Sequence, residues 1–167
     1  MINLHILCGI PASGKSTWAK AQIAKSTFSA IRISRDEIRF HLLKPNEDYF
    51  SKENEVFAQF IEEIKSAIKF GYHDIYVDAT HINYSSRHKV LKAIGSVKPY
   101  SVNLIYDVFC TSMQTALDRN SKRTDRALVP VEAIDSMFRA FVLPTWTEGD
   151  DEMDNFGYIS YEVNMHE

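Results

Sequence analysis

The stretch GIPASGKST (residues 9–17) places two glycines, a lysine and two hydroxyls directly after the apolar run INLHILC. Such a set packs poorly in a core but suits a phosphate. In the pattern GxxxxGK[ST] the glycines let backbone N–H groups turn inward around phosphate oxygens. A helix starting near Lys15 aims its positive end at the same anion. Lys15 adds a full charge near the β- and γ-phosphates, and the Ser16 hydroxyl is placed to ligate Mg²⁺. Gly9, Ala12, Ser13, Gly14, Lys15, Ser16 and Thr17 are therefore the candidate nucleotide-binding residues, Ser16 the candidate metal ligand, and Thr17 one step further from direct contact.

Two more polar clusters follow apolar runs. In SRDEIR, Asp36 stands beyond the end of a strand, where a carboxylate near a transferring phosphoryl group accepts the proton of an attacking hydroxyl. Arg35 and Arg39 are four apart and share a helical face beside it. An arginine there grips a second phosphate through two points. The plainer alternative is a helix start, with Ser34 as cap and Asp36 and Glu37 in the first turn. In IYVDATHIN, Asp78 ends a strand in a position that suits Mg²⁺ or the orientation of a basic side chain; capping the next turn is its alternative. Arg87 on the following helix faces either the site or solvent.

Farther on, Arg119, Lys122, Arg123 and Arg126 fall at spacings that make one basic stripe on a helix, anchored by Met113, Ala116 and Leu117. A solvated face is the ordinary reading of such a run. Its position before the polar loop KRTDRALVP suggests instead a flap, about residues 119–129, whose arginines close on phosphates and neutralise the transferring group.

The elements that must hold these residues alternate. Strands are expected over 2–8, 30–34, 74–80 and 100–109. Helices are expected over 15–25, 36–43, 53–70, 85–94, 112–122 and 131–142. The end EGDDEMDN then YISYEV reads as an acidic turn and a last strand, within an acidic tail of about 148–167. This alternation predicts an α/β chain with a mostly parallel sheet covered on both faces. Ligands of such sheets bind beyond the carboxyl ends of the strands, where all three polar clusters lie. No repeat or linker divides residues 1–167, so a single domain is expected.

The 167 residues are 45% hydrophobic and 25% charged, with a net charge of -3. No global basic field draws in long nucleic acid, so any such partner must be held by a local patch. No run approaches a membrane span, no signal peptide opens the chain, and Cys8 and Cys110 read as buried free thiols. A cytoplasmic protein with no membrane association and no implied protein partner is expected.

GIPASGKSTWAK, SRDEIR, VDATHIN and RNSKR followed by VP and SMFRAF, in this order and spacing, resemble the kinase domain of the bacteriophage 5′-polynucleotide kinases. The resemblance runs from about residue 3 to residue 143. It implies a three-layer P-loop kinase with four or five strands and an arginine-bearing lid. It implies that Lys15 and Ser16 bind ATP and Mg²⁺, that Asp36 is the general base on a 5′-hydroxyl of RNA or DNA, and that Arg39 holds the adjoining phosphate. Asp78 would orient that arginine, while Arg119 and Arg123 act on the donor phosphates, Arg123 in catalysis. His81 departs from the asparagine common in this loop. No DxDGT-type motif follows, so no 3′-phosphatase activity is expected. A kinase of a nucleoside or other small metabolite, and an ATP-binding switch that transfers nothing, share the donor-side features.

Overall fold

The structure, a computed structural model, describes residues 1–167. Its centre is β1 (Ile2–Cys8), flanked by β3 (Asp74–Asp78) and β4 (Val102–Phe109), with β2 (Ala30–Ser34) and β5 (Ser160–His166) at the edges. Every pairing is parallel, giving the order β2-β3-β1-β4-β5. The chain crosses from β1 over β3 to β2, then returns and leaves on the other side. Its first loop therefore opens at the point where strand order reverses, the crevice where open α/β sheets bind ligands.

β1 and β4 are apolar along most of their length because helices cover both of their faces. On one face Leu4, Ile6, Leu104 and Val108 join Val56, Phe60 and Ile64 of α3 (Glu53–Phe70) and Leu91 and Ile94 of α4 (Tyr84–Ile94). Each such side chain contributes roughly 1.5–3 kcal/mol of burial. On the other face Leu7, Tyr76 and Phe109 meet Ala19 and Trp18 of α1 (Lys15–Lys25). A third cluster, Ile10, Ala116 and Ile134, fastens α5 (Met113–Asn120) and α6 (Val131–Arg139) over the first loop.

Local signals fix the element ends that matter. Ser34 caps α2 (Arg35–Leu42) by accepting from the Glu37 amide, and Asn83 and Ser86 form a reciprocal capping box at α4. The capping role read for Ser34 therefore holds together with the placement of Asp36 beyond the strand.

Three expectations are corrected. The acidic segment is not a tail: Trp146–Phe156 forms a helix, α7, and Ser160–His166 pairs with β4. Glu148 and Glu152, four apart, both turn inward and are buried. The four lid cations do not share a helix. α5 stops at Asn120, whose side chain bonds Val129 through both its amide nitrogen (2.8 Å) and its oxygen (3.1 Å). The loop pinched off between them holds only one short 3₁₀ turn, Asp125–Ala127. Of the two cysteines, Cys8 is buried, and burial pushes its thiol up to about 12, but Cys110 is exposed. No helix is long and apolar enough to cross a membrane.

Candidate active site

The loop between β1 and α1 is shaped for close approach. A side chain at Gly9 would place its Cβ 2.7 Å from Ser13 Oγ and 3.1 Å from Phe109 Cβ. Gly14 has φ 103°, a left-handed conformation that costs glycine little. Ala12 adopts φ 62°, so the loop turns its backbone at two positions within three residues. The root of the loop is tied to the end of β3 by the Gly9 amide bonding the Thr80 carbonyl at 2.8 Å.

Lys15 is buried inside this loop. Its Nζ donates to the Gly9 and Ile10 carbonyls, each at 2.8 Å, and to Ser13 Oγ at 3.2 Å. Those partners are neutral. Burial therefore pulls the ammonium down to about 8, although the charges of Asp78 and Asp36 work the other way. A desolvated cation without a paired anion fits a phosphate group. Ser16 and Thr17 are exposed at the start of α1. The chain holds no group of three or more His, Cys, Asp or Glu able to grip an ion alone.

α2 brings three expected residues together. Arg39, only 4% exposed, donates from Nη1 to Asp36 Oδ1 and Tyr49 Oη, both at 2.9 Å, and from Nη2 to Glu53 Oε2 at 2.5 Å. Its guanidinium lies 4.3 Å over the Tyr49 ring. Burial opposes its charge, but the Glu53 bond and the Tyr49 and Asp36 charges outweigh that and raise its pKa. Tyr49 also donates to Asp36 Oδ1 at 2.9 Å, and burial pushes its phenol up to about 12. Every bond Asp36 makes falls on Oδ1; Oδ2 of this exposed carboxylate has no protein partner. Arg35 pairs with Glu53 from the other side. Glu53 therefore serves both arginines, and their bonds and charges hold its carboxyl below the usual range against the effect of burial.

Asp78 is buried at the end of β3, but the contact expected with Arg39 is not made. Its Oδ2 accepts from Arg32 Nη1 at 2.6 Å, because β2 and β3 pair side by side and Arg32 reaches along the sheet edge. Arg32 also pairs with Glu37. Arg87 faces neither the site nor solvent; it is fully buried under α7. His81 is buried at φ 42°, and its Nδ1 bonds the Leu7 carbonyl at 2.9 Å. Because a carbonyl only accepts, Nδ1 carries the proton and Nε2 is bare. Burial lowers this histidine to about 4 and keeps it neutral.

The lid cations separate into distinct tasks. Arg119 leans on the first loop, donating to the Ala12 and Ser13 carbonyls at 3.4 and 3.3 Å. Arg123 sits in the pinched loop, exposed, and its charge reaches Lys15. Arg126 crosses to the far side and donates to the Leu43 and Lys44 carbonyls at 3.3 and 2.5 Å. Glu53, Tyr49 and Arg32 were not singled out in the sequence as partners of the arginines. Glu53 and Tyr49 sit in a charged, turn-rich stretch whose spacing matches no motif, and Arg32 reads as one polar residue inside a strand.

Comparison with known proteins gives the family and the fold. The AAA_33 family model, described as an AAA domain, matches residues 4–144. A protein of Autographa californica nuclear polyhedrosis virus described as a bifunctional polynucleotide kinase/RNA ligase is 30% identical over 154 residues, covering 84% of this chain and 21% of its own. An L-seryl-tRNA(Sec) kinase of Methanococcus maripaludis is 27% identical over 173 residues, covering 98% and 64%. The chain thus spans about a fifth of the first relative and just under two thirds of the second. Among solved structures, a chain of the Pnkp1/Rnl/Hen1 RNA repair complex superposes with a TM-score of 0.70 at 22% identity, covering 83% of this chain and 43% of that one. A gluconokinase from Sinorhizobium meliloti gives 0.54 at 14% identity, covering 98% and 82%. Likeness at these identities shows a shared fold.

Proposed function

The chain belongs to the AAA_33 family of P-loop kinase domains, and from that premise we propose that it transfers the γ-phosphoryl group of ATP to a 5′-hydroxyl end of RNA or DNA. The observation that carries the reading is the cluster of Asp36, Arg39, Tyr49 and Glu53. A carboxylate with one free oxygen stands beside a guanidinium fixed by three neighbours, at a strand end next to the phosphate loop. A switch that binds ATP without transfer has no use for that arrangement.

The roles follow from the contacts. The loop amides and Lys15 hold the donor phosphates, and the anion restores the charge that burial weakens on Lys15. Mg²⁺, when bound with the nucleotide at Ser16, supplies further neutralisation of phosphate charge. Asp36 accepts the proton of the incoming hydroxyl at Oδ2, while Oδ1 stays anchored to Arg39 and Tyr49. Arg39 reaches the acceptor's own phosphate. Asp78 acts on the acceptor side at one remove, by fixing Arg32 and the end of β2. Arg119 and Arg123 stabilise charge on the transferring group from the lid. A polynucleotide kinase/RNA ligase among the relatives supports a nucleic-acid acceptor, and the RNA repair complex supports a role beside other proteins.

The test is phosphoryl transfer from labelled ATP to a 5′-hydroxyl oligonucleotide, to free nucleosides and to gluconate. Label on the oligonucleotide, and little on the others, is expected. Label on gluconate or nucleosides alone would favour a small-metabolite kinase, the reading that the gluconokinase likeness supports.

A further inference from the structure

A cavity of about 320 Å³ opens between α3 and α4, past the end of β3. Its walls include Arg35, Phe57, His81, Ser85, Ser86 and Lys89, and no carboxylate. The volume is at the lower end of ligand sites and fits one nucleotide unit. Arg35 adjoins Asp36 in α2, so the cavity begins one residue from the proposed reacting centre.

The charge of the cavity is unbalanced. Arg35 and Lys89 both stand over Phe57, the guanidinium 5.4 Å and the ammonium 4.7 Å from its ring centre. Lys89 forms no ion pair. Arg35 is only half engaged, since Glu53 takes one Nη while its buried Nε has no partner. The first turn of α4 adds its positive end at Ser85 and Ser86. In the wall, the buried His81 Nε2 is an unpaired acceptor, suited to a ribose hydroxyl or base N–H and not to the anion itself. These groups leave a cationic hollow with unfilled hydrogen-bonding capacity. An uncharged sugar would leave Lys89 unpaired; a phosphodiester meets Lys89 and the open Nε side of Arg35.

We propose that this cavity is a downstream subsite that holds the next phosphodiester of a polynucleotide acceptor, with Lys89 and Arg35 as its anion contacts. This rests on the polynucleotide reading above and adds to Arg39 a second acceptor-side phosphate contact. It distinguishes a strand from a lone nucleotide: a nucleoside 3′-phosphate reaches Arg39 only, whereas an oligonucleotide reaches Lys89 as well.

The experiment measures kcat/KM for a nucleoside 3′-phosphate, a dinucleotide 3′-phosphate and a 5′-hydroxyl hexamer, in the native protein, Lys89→Ala and Lys92→Ala. Lys92 lies on the same helix outside the cavity. The native protein should prefer the hexamer to the nucleoside 3′-phosphate by about tenfold or more, and Lys89→Ala should remove most of that ratio while Lys92→Ala keeps it. Lys89→Ala should also flatten the log–log salt dependence of hexamer binding by about 0.7, one single-strand phosphate contact. A ratio unchanged by Lys89→Ala, or a native protein blind to length, overturns the subsite and leaves the polynucleotide reading standing. No transfer to any of the three acceptors overturns that reading, and the subsite with it.

Discussion

Arg87 and Glu148 meet through two parallel bonds, Nε to Oε1 at 2.6 Å and Nη2 to Oε2 at 2.9 Å, with the arginine sealed from solvent. The remaining Nη1 donates to the His81 and Val142 carbonyls at 3.1 and 3.0 Å, so the guanidinium is satisfied on all sides that matter. Removing one partner of such a pair leaves a buried charge uncompensated, at about 3–5 kcal/mol. Glu148→Ala should therefore lower the urea midpoint by that amount of stability. A shift below about 1 kcal/mol would mean that α7 does not depend on this pair.

Lys15 should link pH to nucleotide affinity. The free ammonium titrates near 8 because it is buried, and a bound phosphate favours the charged form. ATP should bind with constant affinity below pH 8 and lose up to tenfold per pH unit above it, as the proton must be taken up on binding. Calorimetry in two buffers of different ionisation heat reads that uptake directly. Lys15→Ala should abolish turnover and remove the pH dependence; near-normal rates would end the assignment of the loop.

Asp36 and Arg39 should fail differently. Asp36→Asn keeps the bond from Arg39 but cannot take a proton, so kcat should fall by roughly 10²–10⁴ with ATP affinity retained. Arg39→Ala should raise KM for the oligonucleotide more than for ATP, and Glu53→Gln should give a smaller change in the same direction. A rise confined to the ATP KM would reverse the division between donor and acceptor sides.

Arg123 contacts little in the free protein, its Nη1 reaching only the Ala127 carbonyl at 3.4 Å. On the proposed reading, a residue so placed is free to act in the transition state. Arg123→Ala should lower kcat by about 10³, as loss of an arginine finger does, with little effect on folding. Single-turnover rates at saturating ATP give the comparison.

His81 sets an acid limit. Burial holds it near 4, below the ordinary 6.5, so the unfolded chain binds the extra proton between those values. Stability should therefore fall as pH drops from 6.5 to 4, by an amount on the order of 3 kcal/mol from this residue. His81→Asn should show a shallower loss over the same range in urea titrations.

The geometry of the first loop was legible in the chain because it lies in a contiguous motif: Gly9 to Thr17 carry their own backbone demands, and a strand before with a helix after could be read directly. The fold class and the long helix over 53–70 were legible for a similar reason, as periodic burial leaves a periodic pattern. The acidic segment misled because its meaning sits elsewhere. Glu148 and Glu152 look solvated until Arg87 and His88, 61 and 64 residues away, are brought beneath them. The lid misled because spacing alone describes a helix, whereas the bonds between Asn120 and Val129 end it. Asp78 found Arg32 instead of Arg39 through sheet register, which no local pattern records.

The clasp that Arg126 makes has an evolutionary corollary. Its partners are two main-chain oxygens, which any residue supplies, so the identities at positions 43 and 44 are free to drift so far as this contact is concerned. The arginine itself has no such latitude. Selection acting to keep the two rims of the crevice joined would register at one site in the alignment of descendants and leave the opposite rim silent.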